Sequence, residues 1–291
     1  MPSMGGGGAE RVLINLFNLI DFKKFDIELL VLMNKGKLWN DIPISVKKKH
    51  LGLSSNLLKA FSYIYRIFYI NVFWLFSNKI KGKYDVGISF MDSIFTEFLF
   101  LDSLKLNKRV TIVHSSYKSY INRSKFIKGR YKKLMTQRYS KLDKIICVSE
   151  ESKKEFIELF GKNHNIETIY NPLDHKDILN KANIKRPSLM TKSKFQMVAV
   201  GSLIPVKGYD LLIKSISLLK KERDDFQLHI LGDGFLKTQL SKLIEELDLS
   251  DVVILHGFVK NPYVWIKNSD LFVMSSLVEG LPTVLCESLI L

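Results

Sequence analysis

The sequence predicts an α/β protein built as two doubly wound, Rossmann-like halves. Apolar strand-like runs alternate with amphipathic helix-like runs along most of the chain. In the second half four such strand–helix units follow in order, and each strand ends in small or polar residues, as at the ligand-binding edge of a parallel sheet. The 291 residues, 46% of them hydrophobic, give the length of about two domains of ~150 residues with ample apolar content for two cores. The expected division is residues 1–180, a polar linker at 181–194 containing Pro187, and residues 195–291.

The chain opens on Gly5-Gly6-Gly7-Gly8, then Ala9-Glu10-Arg11 and a helical pattern of Val12, Leu13, Leu16, Phe17 and Ile20. A glycine loop entering a helix lets backbone N–H groups approach a phosphate closely. Met1-Pro2-Ser3 is too short to be the strand that should precede such a loop. Residues 27–33 (IELLVLM) read as a buried parallel strand, and residues 42–46 as another. Residues 57–76 are long, apolar and aromatic, but Lys59, Arg66 and Asn71 interrupt them, short of the ~20 clean apolar residues of a membrane span. They read as a helix packed on the sheet, with a membrane-facing aromatic belt as the sharper alternative. Residues 85–91 are strand-like, 94–101 helical, and 109–113 a strand ending at His114-Ser115-Ser116. A polar group just past a strand's carboxyl end is a site candidate, so His114 is one. Tyr117, Tyr120, Phe126, Tyr131 and Tyr139 then interleave with Lys125, Lys128, Arg130, Lys132, Lys133 and further cations, a spacing that suits lipid headgroups or single-stranded nucleic acid. A strand at 144–148, a helix at 150–160 and a strand at 166–170, stopped by Asn171-Pro172, complete the half.

In the second half, strands are expected at 195–200, 226–231, 252–255 and 271–274, with helices at 209–220 and 235–247, and a short one after Pro262. The last strand runs into Ser275-Ser276-Leu277-Val278-Glu279-Gly280-Leu281-Pro282 and a helical run holding Glu287. Two carboxylates at a helix start would repel a phosphate and suit the hydroxyls of a sugar or ribose.

The net charge of +15 is uneven. Residues 191–291 hold 11 Lys/Arg and 12 Asp/Glu, leaving 33 and 17 of the 44 and 29 to residues 1–190. That asymmetry favours a large anionic partner for the first half, a membrane surface or a nucleic acid, against a merely solvated charged face. Cys147 and Cys286 lie in separate apolar runs and read as buried thiols, not a disulfide framework. No Cys/His group has metal-ligand spacing, and the first residues do not resemble a signal peptide.

Three stretches together resemble the donor domain of glycosyltransferase family 4, the retaining transferases of the GT-B fold. They are Val200-Gly201-Ser202-Leu203 with Lys207-Gly208, Leu231-Gly232-Asp233-Gly234, and Glu279-Gly280-Leu281-Pro282 ending at Glu287. The first half resembles the family more loosely, through Gly5 to Arg11, His114-Ser115, Val148-Ser149 and Asn171-Pro172. The resemblance implies two domains facing across a cleft and a nucleotide-diphosphate sugar as donor, with no metal or other cofactor. Lys207 would hold the diphosphate, Glu279 the sugar hydroxyls, and Glu287 the ribose. Gly280, Leu281 and Pro282 would line sugar and phosphate, Val259 would lie near the base, and Gly7 and Gly8 would approach the phosphates. His114 would lie beside the reacting sugar. The family commonly carries Arg where this chain has Ser202. The nearest functional class is surface-polysaccharide synthesis: a cytoplasmic protein, peripheral on the inner face of the plasma membrane, acting on a glycan or polyprenyl-linked acceptor. Compared with the family pattern, the chain reads as shortened at both ends. The alternatives are an inactive nucleotide-sugar-binding remnant and a nucleotide-sugar epimerase of the same fold. Nucleic-acid binding explains the charge but not the glycine and carboxylate motifs.

Overall fold

The computed structural model describes residues 1–34, 36–68, 70–117, 129–162, 165–191 and 193–291. It divides into two compact units, Met1–Pro172 and Leu173–Leu291. The expected linker at 181–194 therefore lies inside the second unit. The reason is burial: Met190 packs with Val198, Leu231 and Trp265, and Ile178 and Ala182 pack with Tyr263.

In the first unit, α1 (Gly8–Leu19) buries Val12, Leu13 and Phe17 along one stripe. β1 (Glu28–Val31) pairs in parallel with β2 (Lys47–His50). The second strand thus starts where the expected one at 42–46 ends: Ile42 closes a 3-10 turn, and Val46 N–H donates to the Pro43 carbonyl in another turn. The opening residues bond in a row along β1. Met1 donates its amino group to Leu30 O, while Leu32 and Met33 donate to the carbonyls of Met1 and Pro2. Met1-Pro2 thus does strand-like work despite its length.

The apolar run expected as one helix over 57–76 is two elements, α2 (Ser55–Phe68) and a 3-10 helix, Val72–Phe76. Asn71 makes the break, because its side chain accepts from Phe73 N–H and so caps a new start. A four-stranded parallel sheet follows, in the order β3 (Gly82–Ser89), β4 (Leu104–Val113), β5 (Lys144–Cys147), β6 (Ile166–Thr168). A 3-10 helix (Ser93–Phe100), α3 (Arg130–Tyr139) and α4 (Glu150–Phe160) cover it. Ser149 caps α4 by accepting from Ser152 N–H. Tyr139, Phe156, Phe160 and Met135 seal one core with Phe61, Tyr65 and Phe73.

The second unit holds α5 (His175–Ala182) and a parallel sheet ordered β10 (Leu271–Phe272), β7 (Phe195–Val200), β8 (Phe226–Leu231), β9 (Val253–Gly257). Side chains alternate across it. Met197 and Ala199 face Leu212, Ile213 and Ile216 of α6 (Tyr209–Leu219) and Leu240 and Ile244 of α7 (Lys237–Glu246). Val198 and Val200 face Val264 and Trp265 of α8 (Tyr263–Lys267). The chain closes with α9 (Thr283–Ser288).

Candidate active site

The carboxyl edge of the second sheet is knitted by main chain. Gly201 N–H donates to Leu231 O, Leu203 N–H to Asp233 O, and Gly232 N–H to Gly257 O. The loops after β7, β8 and β9 are thereby held side by side. The glycines are required by that closeness: a Cβ on Gly232 would lie 1.8 Å from Gly201 O, and one on Gly234 would lie 2.4 Å from Leu203 O. Gly208 has φ +62, in the left-handed region, and a Cβ there would lie 2.3 Å from Ser275 O.

That contact joins the first and last motifs. Leu277 N–H donates to Val206 O, and Ser275 Oγ donates to Lys207 O at 2.8 Å. The turn after β10 is thus fastened to the 3-10 turn at Pro205–Lys207. The result is an ion pair between residues 72 apart in sequence, Lys207 Nζ donating to Glu279 Oε1 at 2.6 Å, with each side chain 22% exposed. Beside it, burial and the Glu279 charge push the Tyr209 hydroxyl pKa up. Gly280, Leu281 and Pro282 are half-buried and lead into α9, with Pro282 at its cap. Glu287 is buried, 3% exposed, and accepts from the Tyr263 hydroxyl at 3.2 Å. Nothing in the sequence marks Tyr263 as that partner; it follows from α8 packing against α9. Val259 packs beside Trp265 and Val284, and Ser202 is half-buried in the loop after β7.

Three strands carry a polar chain that motif reading did not find. Gln196 of β7 donates its amide N–H to the carbonyls of Thr191 and Lys194. Its oxygen must then accept from His229 Nε2 of β8, at 2.8 Å. That leaves His229 Nδ1 to accept from His256 Nε2 of β9, at 2.9 Å. Burial and then the His256 charge push His229 down to about 4, and burial lowers His256.

In the first unit, Gly7 caps α1 and Gly8 begins it. Glu10 folds back to take hydrogen bonds from the Gly5 and Gly7 backbone, and burial raises its pKa. The loop amides are thus turned toward an anionic group, here the chain's own carboxylate. His114 lies past the end of β4, its ring 4.8 Å from that of Phe90. Burial pushes it down to about 4, so it is a neutral imidazole near pH 7, and its Nε2 is buried with no partner among the described residues. Of the expected cationic face, Lys125 and Lys128 lie outside the described residues, and Arg130 opens α3. Lys132 and Lys133 are exposed on α3. Of the aromatics expected to interleave there, Tyr117 and Tyr139 are buried against Phe156 and Phe160 and Tyr131 is half-buried; residues 131, 135 and 139 form the inner stripe of α3. Tyr120 and Phe126 lie outside the described residues. Cys147 is buried as expected, whereas Cys286 is only half-buried, on the exposed flank of a six-residue helix.

A family model described as Glycosyltransferase Family 4 matches residues 6–177, and one described as Glycosyl transferases group 1 matches residues 180–291. The chain belongs to glycosyltransferase family 4. A Campylobacter jejuni relative, N-acetylgalactosamine-N,N'-diacetylbacillosaminyl-diphospho-undecaprenol 4-alpha-N-acetylgalactosaminyltransferase, is 30% identical over 99% of this chain and 76% of its own length. The capsular polysaccharide biosynthesis glycosyltransferase CapH of Staphylococcus aureus is 27% identical over 98% of this chain and 76% of its own. Among solved structures, Anabaena Alr3699/HepE in complex with UDP and glucose superposes over all of this chain and 77% of its own, with a TM-score of 0.70 at 17% identity. This glycosyltransferase has the GT-B fold, two Rossmann-like units each built on parallel strands. It spans about three quarters of the length of these relatives.

Proposed function

We propose that this glycosyltransferase moves a sugar, with retention of configuration, from a nucleotide-diphosphate sugar to a lipid-linked or growing surface glycan at an anionic membrane. The observation that carries the reading is the Lys207–Glu279 pair, a cation and a carboxylate held together by the glycine-spaced loops at the sheet's carboxyl edge. A diphosphate gains negative charge as the sugar departs, and an ammonium held in place stabilises that charge. The same ion pair leaves Glu279 next to the diphosphate position, where a carboxylate accepts sugar hydroxyls. Lys207, with no metal, is the counter-charge, and the leaving phosphate assists deprotonation of the acceptor. Neutral His114 is suited to hydrogen bonding with an uncharged sugar. Glu287 is assigned to the ribose, the Val259 loop to the base, and Gly7 and Gly8 to the phosphates. The name of the Campylobacter relative, with its alpha linkage and diphospho-undecaprenol, supports both the stereochemistry and the acceptor class.

The test is a panel of nucleotide sugars with and without polyprenyl-diphosphate glycans, following nucleoside diphosphate release and the product's anomeric configuration. Acceptor-dependent release, an axial product from an axial donor and no effect of EDTA are expected. Lys207→Ala and Glu279→Ala should each lower kcat by ~10²–10³-fold. An isomerised nucleotide sugar without acceptor would instead identify an epimerase. Turnover indifferent to Glu279→Ala would overturn the assignment of the site.

A further inference from the structure

We propose that two buried carboxylates, Asp92 acting through the Tyr117 hydroxyl and Glu155, are positioning residues that hold the loop after β4, and with it His114, in place for the transfer. The proposal deepens the reading above and rests on the place given there to His114 beside the reacting sugar.

The loop leaves β4 at Val113 and runs His114-Ser115-Ser116-Tyr117. Both carboxylates grip its far end. Glu155 of α4, 2% exposed, accepts from Ser116 Oγ at 2.6 Å and from Tyr117 N–H at 2.7 Å, both through Oε2. Asp92, 7% exposed, accepts from the Tyr117 hydroxyl. Between the two grips the Tyr117 ring stands edge-on to Phe156 and Phe160, with ring centres 5.9 and 5.3 Å away. The near end is held by the contact of the His114 ring with Phe90, two residues before Asp92. The short segment after β3 thus touches His114 itself and also fastens the residue three further along.

Three features set Asp92 apart from a residue that only fills space. It occupies the cap position of the 3-10 helix Ser93–Phe100, where an aspartate ordinarily accepts from the first amides, yet its side chain makes no cap bond. The carboxylate reaches across to Tyr117 instead. Burial pushes its pKa up to about 6, so near pH 7 the fold carries a desolvated charge that an apolar side chain of similar size would avoid. The next residue, Ser93, is held at φ +64, in the left-handed region. Its N–H donates to the Tyr139 hydroxyl at 3.1 Å, and its Oγ lies 2.8 Å from the Tyr131 hydroxyl. Backbone strain and a buried charge, both directed at one hydroxyl of a neighbouring loop, mark a group kept for placement.

The experiment compares Asp92→Leu/Tyr117→Phe, His114→Ala and the three substitutions together, all in the whole chain. It follows nucleoside diphosphate release and, without any substrate, the titration of the His114 ring by NMR. Replacing both partners of a buried hydrogen bond by apolar groups of like shape is nearly neutral for stability. The double variant should therefore melt within a few degrees of wild type, yet lose about tenfold in kcat with the donor KM held within twofold. The His114 ring, pushed down to about 4 by burial, should titrate nearer its ordinary 6.5 once the loop is released. In the His114→Ala background the same two changes should lower kcat no further, because their effect passes through the missing ring. Asp92→Leu alone should be slow, and Asp92→Asn, whose amide oxygen still accepts from Tyr117, should recover kcat to within threefold of wild type. Glu155→Leu against Glu155→Gln repeats that comparison at the other grip. A double variant with wild-type kcat, or with an unmoved His114 titration, overturns the proposal and leaves the reading of His114 standing. An equal loss in the His114→Ala background overturns it too, since the loop then acts without His114. If His114→Ala turns over like wild type, the reading of His114 fails and the proposal with it. Should the double variant fold poorly, Tyr117→Phe alone, which keeps its ring against Phe156 and Phe160, carries the same measurements.

Discussion

At the scale of single residues, the proposed donor site is built from absences of side chain as much as from Lys207 and Glu279. Gly232 touches the Gly201 carbonyl, and Gly208 touches the Ser275 carbonyl in a left-handed conformation. In each case the obstacle is backbone, which cannot rotate aside as a side chain can. Gly232→Ala should therefore cost about 3 kcal/mol of stability, and Gly208→Ala should add left-handed strain to its clash. The check is urea unfolding beside Gly161→Ala, which also has positive φ but has nothing within 4 Å of its Cβ position. Equal losses at Gly161 and Gly232 would show that conformation, not contact, sets the cost. These glycines were visible in the sequence as motif letters. Their partners were not, since nothing in Gly-Asp-Gly names the carbonyl 31 residues earlier that it must accommodate.

At the scale of elements, legibility followed the amphipathic pattern. The strands and helices from β7 to α7 are close to those expected, because each is bounded by glycine, proline or an aspartate cluster. Residues 57–76 read as one helix with Asn71 a mere interruption, because the sequence does not show that the Asn71 side chain accepts from Phe73 N–H and so starts a new element. The Gln196–His229–His256 chain was unreadable, since it spans three strands whose order the sequence does not state. It carries a consequence for stability. His229 is depressed from 6.5 to about 4 in the folded state, so below pH 6.5 the unfolded chain binds a proton that the folded chain refuses. Its contribution is complete above about 6.5 and is lost as pH falls toward 4, an effect of about 3 kcal/mol. His256 acts in the same direction. Melting of the second unit should thus fall by several degrees between pH 7 and pH 4.5, and His229→Phe should flatten that slope. An unaltered slope in the variant would remove His229 from the account.

At the scale of the whole molecule, the two units have separate cores and unequal charge: Met1–Pro172 holds 29 Lys/Arg against 15 Asp/Glu, and Leu173–Leu291 holds 15 against 14. Calorimetry should resolve more than one transition, because each unit carries a core of its own. On the proposed donor reading, the matching nucleoside diphosphate at 100 times its dissociation constant should stabilise the transition of the unit holding Lys207 by about 2.7 kcal/mol. A single transition whose calorimetric and van't Hoff enthalpies agree would refute independent melting. The pH responses should differ too. In the first unit His114 loses stability on acidification as His229 does, but Asp92, pushed up to about 6 by burial, works the other way. The Asp92 contribution is present below its unfolded value of 3.8 and is lost as pH rises through about 6, so the two largely offset and the first transition should move less.

The main-chain knitting of the loops after β7, β8, β9 and β10 also separates two kinds of heredity. Hydrogen bonds between carbonyls and amides fix where the loops run, and most side chains standing on them take no part in that fastening. On the assignments proposed above, descendants of this sequence could therefore exchange residues such as Ser202 or Val259 and so change which sugar or base is accepted, one substitution at a time, without re-evolving the frame. The glycines are the opposite: few alternatives are open to them, and they should change last.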